Sequence, residues 1–189
     1  MNNKATVKDI IISGINMISR QEVEKSIALY KLIKDLYKRN TDVASNIEFK
    51  WAYSAFYGLA THYPKAELGN YFRVMQNHLD NPDKELLLEN IVNELESSKK
   101  QYVFASKLMN FVNDDIYPII DSNVVFVFGF SANMSVTEKY NIINEAYSEL
   151  LNDEHIVAFF SQYDWGAIGK MKKMDIIVWN FANKLRYEI

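Results

Sequence analysis

A chain of 189 residues, 49% hydrophobic and 14% aromatic, is long enough to bury a full core, and a single domain is the default. It has no Cys, which excludes disulfides, thiolate metal sites and Cys nucleophiles together, and its three His (His62, His78, His155) are too scattered for an HxxxH or HExxH metal site. The net charge of −3 argues against a dedicated nucleic-acid binder with a uniform basic excess.

Six Gly and three Pro are too few for a sandwich of many short strands, so long helices joined by short loops are expected. No run of about 18 apolar residues is present to span a membrane. The opening "MNNKATVKDIIISGINMISRQ" does not read as a secretory signal, and a cytoplasmic location is expected. The charge is uneven. Residues 1–40 carry eight Lys and Arg against four Asp and Glu, and residues 80–96 carry six acids against one Lys. Lys31, Lys34, Lys38 and Arg39 gather at the end of one predicted helix. They read either as favourable charge at a helix C-terminus or as a phosphate-facing patch.

In chain order, periodicity predicts helices near 5–19, 21–39, 47–62, 65–79, 83–98, 100–112, 121–130, 136–152, 155–162 and 167–186. The helix at 47–62 is apolar nearly all round, with Trp51, Ala55 and Leu59 on one side and Phe49, Tyr53, Phe56 and Tyr57 on others. It is expected to be central. In "DNPDKE", Asn81 suits a cap and Pro82 a first helical position, so a helix is expected from Asp83. "SVTE" at 135–138 is a capping box, and Tyr140, Ile143, Tyr147 and Leu150 form the buried stripe that follows. "NVVFVFGF" has strand-like composition. Its polar lead-in Asp121–Ser122–Asn123 and helical neighbours predict a helix instead. The fold class expected is all-α, a multi-helix orthogonal bundle over 1–189, with 1–40 the candidate for an added lobe.

Three sets of residues stand out chemically. Asp121 lies in an apolar run three residues after Pro118. It reads as a helix cap or as a working carboxylate. Asp175 lies beside the stripe Met171, Met174, Val178, Phe181 and Leu185, so it is expected to be a structural buried carboxylate with a partner. Lys99 and Lys100 fall at a turn. Ser106, Lys107, Asn110 and Asn113 share the polar face of the next helix, while Tyr102, Ala105, Leu108 and Val112 pack inward.

The order helix, lysine-bearing turn, helix, "YPIIDSNV", helix resembles the helix-hairpin-helix DNA glycosylase superfamily. The matching stretch is "ELLLENIVNELESSKKQYVFASKLMNFVNDDIYPIIDSNVVFVF", about a quarter of the chain. "ASKLMNF", "YPIIDSNV" and "KMDIIVW" also look similar to uncharacterised bacterial proteins of that type. The resemblance implies that Asp121 is the catalytic aspartate and Lys100 the nucleophile or a phosphate ligand. Lys99, Lys107, Asn110 and Asn123 would then serve nucleic-acid binding, without cofactor or metal. The family's glycine-rich hairpin turn is here "ESSKKQ", with no Gly between Gly69 and Gly129. Two other readings stay open. One is a non-enzymatic helical module for a protein partner. The other is acid–base hydrolysis by Asp121 with Asp175.

Overall fold

The computed structural model describes residues 6–188, with side chains as far as Arg186. Among the described residues there are eleven α-helices and no strand, so the all-α expectation holds. The helices are α1 (Val7–Gly14), α2 (Arg20–Arg39), α3 (Ile47–Tyr57), α4 (Leu59–His62), α5 (Leu68–Leu79) and α6 (Leu88–Glu94). They continue with α7 (Tyr102–Val112), α8 (Ser122–Phe128), α9 (Val136–Leu150), α10 (Glu154–Phe160) and α11 (Lys170–Glu188). The chain forms two compact units, Met1–Ile27 with Asp114–Ile189, and Ala28–Asn113.

In the first unit, α11 packs on α1 and α8. Of the predicted stripe, Met171, Met174, Val178 and Phe181 are buried and Leu185 is half-buried, while Lys172, Asp175, Ile176, Ile177, Asn180 and Ala182 are buried as well. The helix is therefore enclosed over most of its circumference. Its start is tied to the loop after α7. The Asp114 carbonyl accepts from Met171 N (3.0 Å) and Lys172 N (3.1 Å), and Asp115 Oδ1 accepts from Lys170 N (2.9 Å). These bonds satisfy amides that a helix start leaves without partners. The predicted capping box at α9 is present in both directions, Ser135 with Glu138, and Tyr140, Ile143, Tyr147 and Leu150 are buried. α8 forms as a helix, closed by Gly129 at φ +60°. The cap at its start outweighs the strand preference of its Val and Phe residues.

In the second unit, an aromatic cluster forms the core. Phe49, Tyr53, Phe72 and Phe111 meet at centroid distances of 5.2–6.2 Å. Tyr53 Oη lies 3.0 Å from Tyr71 Oη, which donates to the Phe104 carbonyl at 3.0 Å. Lys34 turns toward this cluster, with Nζ 5.0 Å from the Phe111 ring centre, and Lys38 lies 3.7 Å from Asp35.

Three expectations are corrected here. The helix expected at 47–62 is broken by Gly58, whose φ of +73° ends α3. Far from being central all round, α3 leaves Ile47 and Trp51 77% and 76% exposed while Phe49, Tyr53 and Tyr57 are buried. "DNPDKE" makes a turn, closed by Lys84 N donating to the Asn81 carbonyl at 3.1 Å, and the helix begins only at Leu88. Asn followed by Pro suits the first two positions of a β-turn as well as a helix start. Finally, the expected polar face of α7 is interior at Ser106 and Asn110, both fully buried, and half-buried at Lys107 and Asn113, while Tyr102 and Val112, expected inside, are only half-buried.

Candidate functional site

Tyr117–Pro118 opens a stretch outside any helix, in keeping with the steric restriction on helical backbone before proline. That stretch delivers Asp121 to the start of α8 with extended backbone, φ −133°. Asp121 Oδ1 accepts from Asn123 N at 2.9 Å and from Val124 N at 3.0 Å. One oxygen therefore caps the helix, and Oδ2 accepts no hydrogen bond from any described residue. The residue is half-buried. Cap and reactive carboxylate are thus compatible in one side chain. Asn123 points inward, 7% exposed, with Nδ2 donating to Asn183 Oδ1 at 3.2 Å.

Asp175 has the partner its position demanded. Lys172 Nζ donates to Asp175 Oδ2 at 2.6 Å, and both side chains are buried. Asp175 is held inside by this pair and does not present itself to a substrate beside Asp121. Tyr147 of α9 is fully buried, its ring centre 6.1 Å from that of Phe128 on α8. Burial raises the Tyr147 pKa well above the ordinary value, and the charges of Asp175 and Asp121 add to the shift. Its hydroxyl has no hydrogen-bond partner among the described residues. In the first unit, then, Lys172 and Asp175 form a buried pair and Asp121 caps α8.

The second unit holds the lysines. α6 and α7 pack together, with Lys99 and Lys100 exposed in the turn between them. Lys100 Nζ lies 3.4 Å from Tyr102 Oη, which in turn bonds the Glu89 carboxylate at 3.1 Å. Lys107 Nζ donates to the Tyr57 carbonyl at 2.8 Å and lies 5.1 Å from the Phe104 ring centre. Asn110 is wholly enclosed and offers no amide to a surface ligand.

The hairpin turn has an internal anion. Ser97 Oγ and Ser98 N both donate to the Glu67 carboxylate. The Ser97 bond holds the Glu67 carboxyl below its ordinary value of 4.5. A folded-state pKa that is depressed gives stabilisation that is present above the ordinary value and lost as pH falls through the folded one. Acidification from about pH 5 to 3 is therefore expected to loosen this turn. Hydrogen exchange at Ser98 checks this; a protection factor that stays constant down to pH 3 would contradict it.

Beside the hairpin, Arg73, Val74, Asn77, His78, Asn81, Lys84, Glu94 and Glu96 line a surface cavity of about 500 Å³. Buried His78 places Nε2 2.6 Å from Glu94 Oε2. The spacing Tyr71, Met75, His78 marks His78 as inward-facing in the sequence. Its pairing with Glu94, 16 positions on, leaves no local signature. Among the described residues no group of three or more His, Asp or Glu could hold a metal ion, and no helix is long and apolar enough to cross a membrane. No family model, curated protein or solved structure matches the chain.

Proposed function

We propose that the chain is a nucleic-acid-interacting helical protein that works in the manner of a base-excision glycosylase, with Asp121 as its catalytic carboxylate. The observation that carries this reading is the division of labour in Asp121. Oδ1 is fixed by two amides, and Oδ2 accepts no hydrogen bond from any described residue. A carboxylate anchored by one oxygen is pre-oriented for chemistry with the other. Asp121 would take a proton from water as the water oxygen joins C1′ of a flipped nucleotide. The C1′–N bond breaks, and its electrons leave with the base. The exposed lysines of the α6–α7 turn, Lys99 and Lys100, support phosphate contacts.

Asp121→Asn separates cap from chemistry, because Asn caps as well as Asp but is not a base. Base release from a damaged duplex is expected to fall roughly 100-fold or more. The unfolding midpoint should stay close to that of the parent. Equal base release by the variant and the parent would refute the reading.

A second reading, a non-enzymatic module for a protein partner, is favoured by α3. Ile47 and Trp51 stand exposed one turn apart, and an exposed Trp beside an aliphatic residue is typical of interface anchors.

A further inference from the structure

The cavity of about 500 Å³ formed by α5, the turn after it and the end of α6 falls within the roughly 300–1,000 Å³ of small-molecule sites. All its lining residues belong to the second unit, and none takes part in the base excision proposed above. Seven of the eight are polar or charged, and the exception, Val74, is itself buried. Arg73 and Lys84 stand against Glu94 and Glu96, so the lining charges balance to zero. Such a lining suits a polar ligand that carries both signs of charge. It suits an apolar ligand poorly, because burying polar groups without partners is costly.

The most enclosed polar group of the lining is His78, 3% exposed, with Nε2 2.6 Å from Glu94 Oε2. A carboxylate only accepts, so Nε2 carries the proton. His78 Nδ1 is also buried and has no hydrogen-bond partner among the described residues. A buried nitrogen left without a partner is unfavourable, and an apolar side chain would fill the space without that cost. What the histidine does achieve is to hold one oxygen of Glu94. The other, Oε1, accepts no hydrogen bond from any described residue. Lys84 Nζ lies 3.9 Å from it, beyond hydrogen-bond reach.

Arg73 is held in place beside this pair. Its Nε and Nη2 donate to Asn70 Oδ1 at 3.3 and 2.7 Å, and Asn70 Nδ2 donates to the Leu95 carbonyl at 2.8 Å, just past the end of α6. Among the described residues the guanidinium thus has an amide oxygen for a partner and no carboxylate.

We propose that this cavity binds a free α-amino acid, its ammonium on Glu94 Oε1 and its carboxylate on Lys84 Nζ, with Arg73 as the second cation for that carboxylate. An α-amino acid carries both charges on one carbon. With each contact at about 2.8 Å, ligand and protein close a ring of four alternating charges across the 3.9 Å between Oε1 and Nζ. A ligand with the ammonium alone leaves the two cations unused, and one with the carboxylate alone faces Glu94. Exposed Asn77 offers its side-chain amide to a polar side chain of the ligand.

The experiment titrates the full chain with L-alanine and L-glutamine and follows backbone amide shifts by NMR. L-Alaninamide, which lacks the carboxylate, and propionate, which lacks the ammonium, are the controls. Saturable shifts at Asn77, Asn81 and Glu96 are expected with both amino acids, and binding of each control should be roughly tenfold weaker or more. Lys84 is exposed, so Lys84→Gln should fold as the parent does and bind L-alanine about tenfold more weakly. Glu94→Gln keeps an acceptor for His78 Nε2 but removes the charge that faces the ammonium, and it should weaken binding at least as much. The proposal is overturned by the absence of saturable shifts with either amino acid, by controls that bind as tightly as L-alanine, or by equal affinities of Lys84→Gln and the parent.

Discussion

Asp175→Ala is expected to destabilise the protein by about 3–5 kcal/mol, a large part of the margin that keeps a domain folded. The cause is the group left behind rather than the bond removed. Lys172 is 2% exposed, and its ammonium is held by Asp175 Oδ2 at 2.6 Å. Without that carboxylate an enclosed ammonium loses the acceptor that holds it at 2.6 Å. Replacing both members, as Lys172→Met with Asp175→Leu, should recover most of the loss, because well-packed apolar residues often match or exceed a buried ion pair. Urea unfolding of the single and double variants checks this. A single variant within about 1 kcal/mol of the parent would show that the pair is not enclosed as described.

Gly169→Ala is the second large effect. A Cβ at Gly169 would stand 2.4 Å from the Asp114 carbonyl carbon and 2.5 Å from its oxygen. Both are backbone atoms, so no side chain can swing aside. The same carbonyl accepts from Met171 N and Lys172 N. Separating the two segments would therefore strain the contact and also loosen the start of α11, where Lys172 and Asp175 reside. A loss of about 3 kcal/mol or more is expected from overpacking together with weakened hydrogen bonds. Gly69 provides the contrast. It lies in α5, and a methyl group added there would meet nothing within 4 Å, so Gly69→Ala should stabilise by about 0.5–1 kcal/mol. Equal unfolding midpoints for the two alanine variants would contradict the account.

What could be read from the residues alone was what local chemistry decides. Ser135 and Glu138 stand three apart and cap α9 whatever surrounds them. Asp121 ahead of an apolar run marks the start of α8 against the strand preference of Val124, Val125 and Phe126. Asp175, beside a regular apolar stripe, required a partner, and Lys172 one turn earlier supplies it. Where one signal serves two structures, the reading failed. Asn81–Pro82 fits a turn and a helix start alike, and only the extended Leu87 ahead of Leu88 separates them.

Burial was the other gap, because it depends on neighbours distant in sequence. Trp51 looks like a core residue and is exposed. Asn110 looks like a surface residue and is enclosed.

The most direct test of the central claim is fluorescence anisotropy with two labelled duplexes, one intact and one carrying an abasic-site analogue, over a salt series. The account predicts tighter binding to the analogue, weakening steeply as salt rises through loss of several phosphate contacts. No binding to either duplex at low salt would contradict it. Asp121 would then serve as the cap of α8, and the exposed Ile47–Trp51 face of α3 would be the surface to pursue.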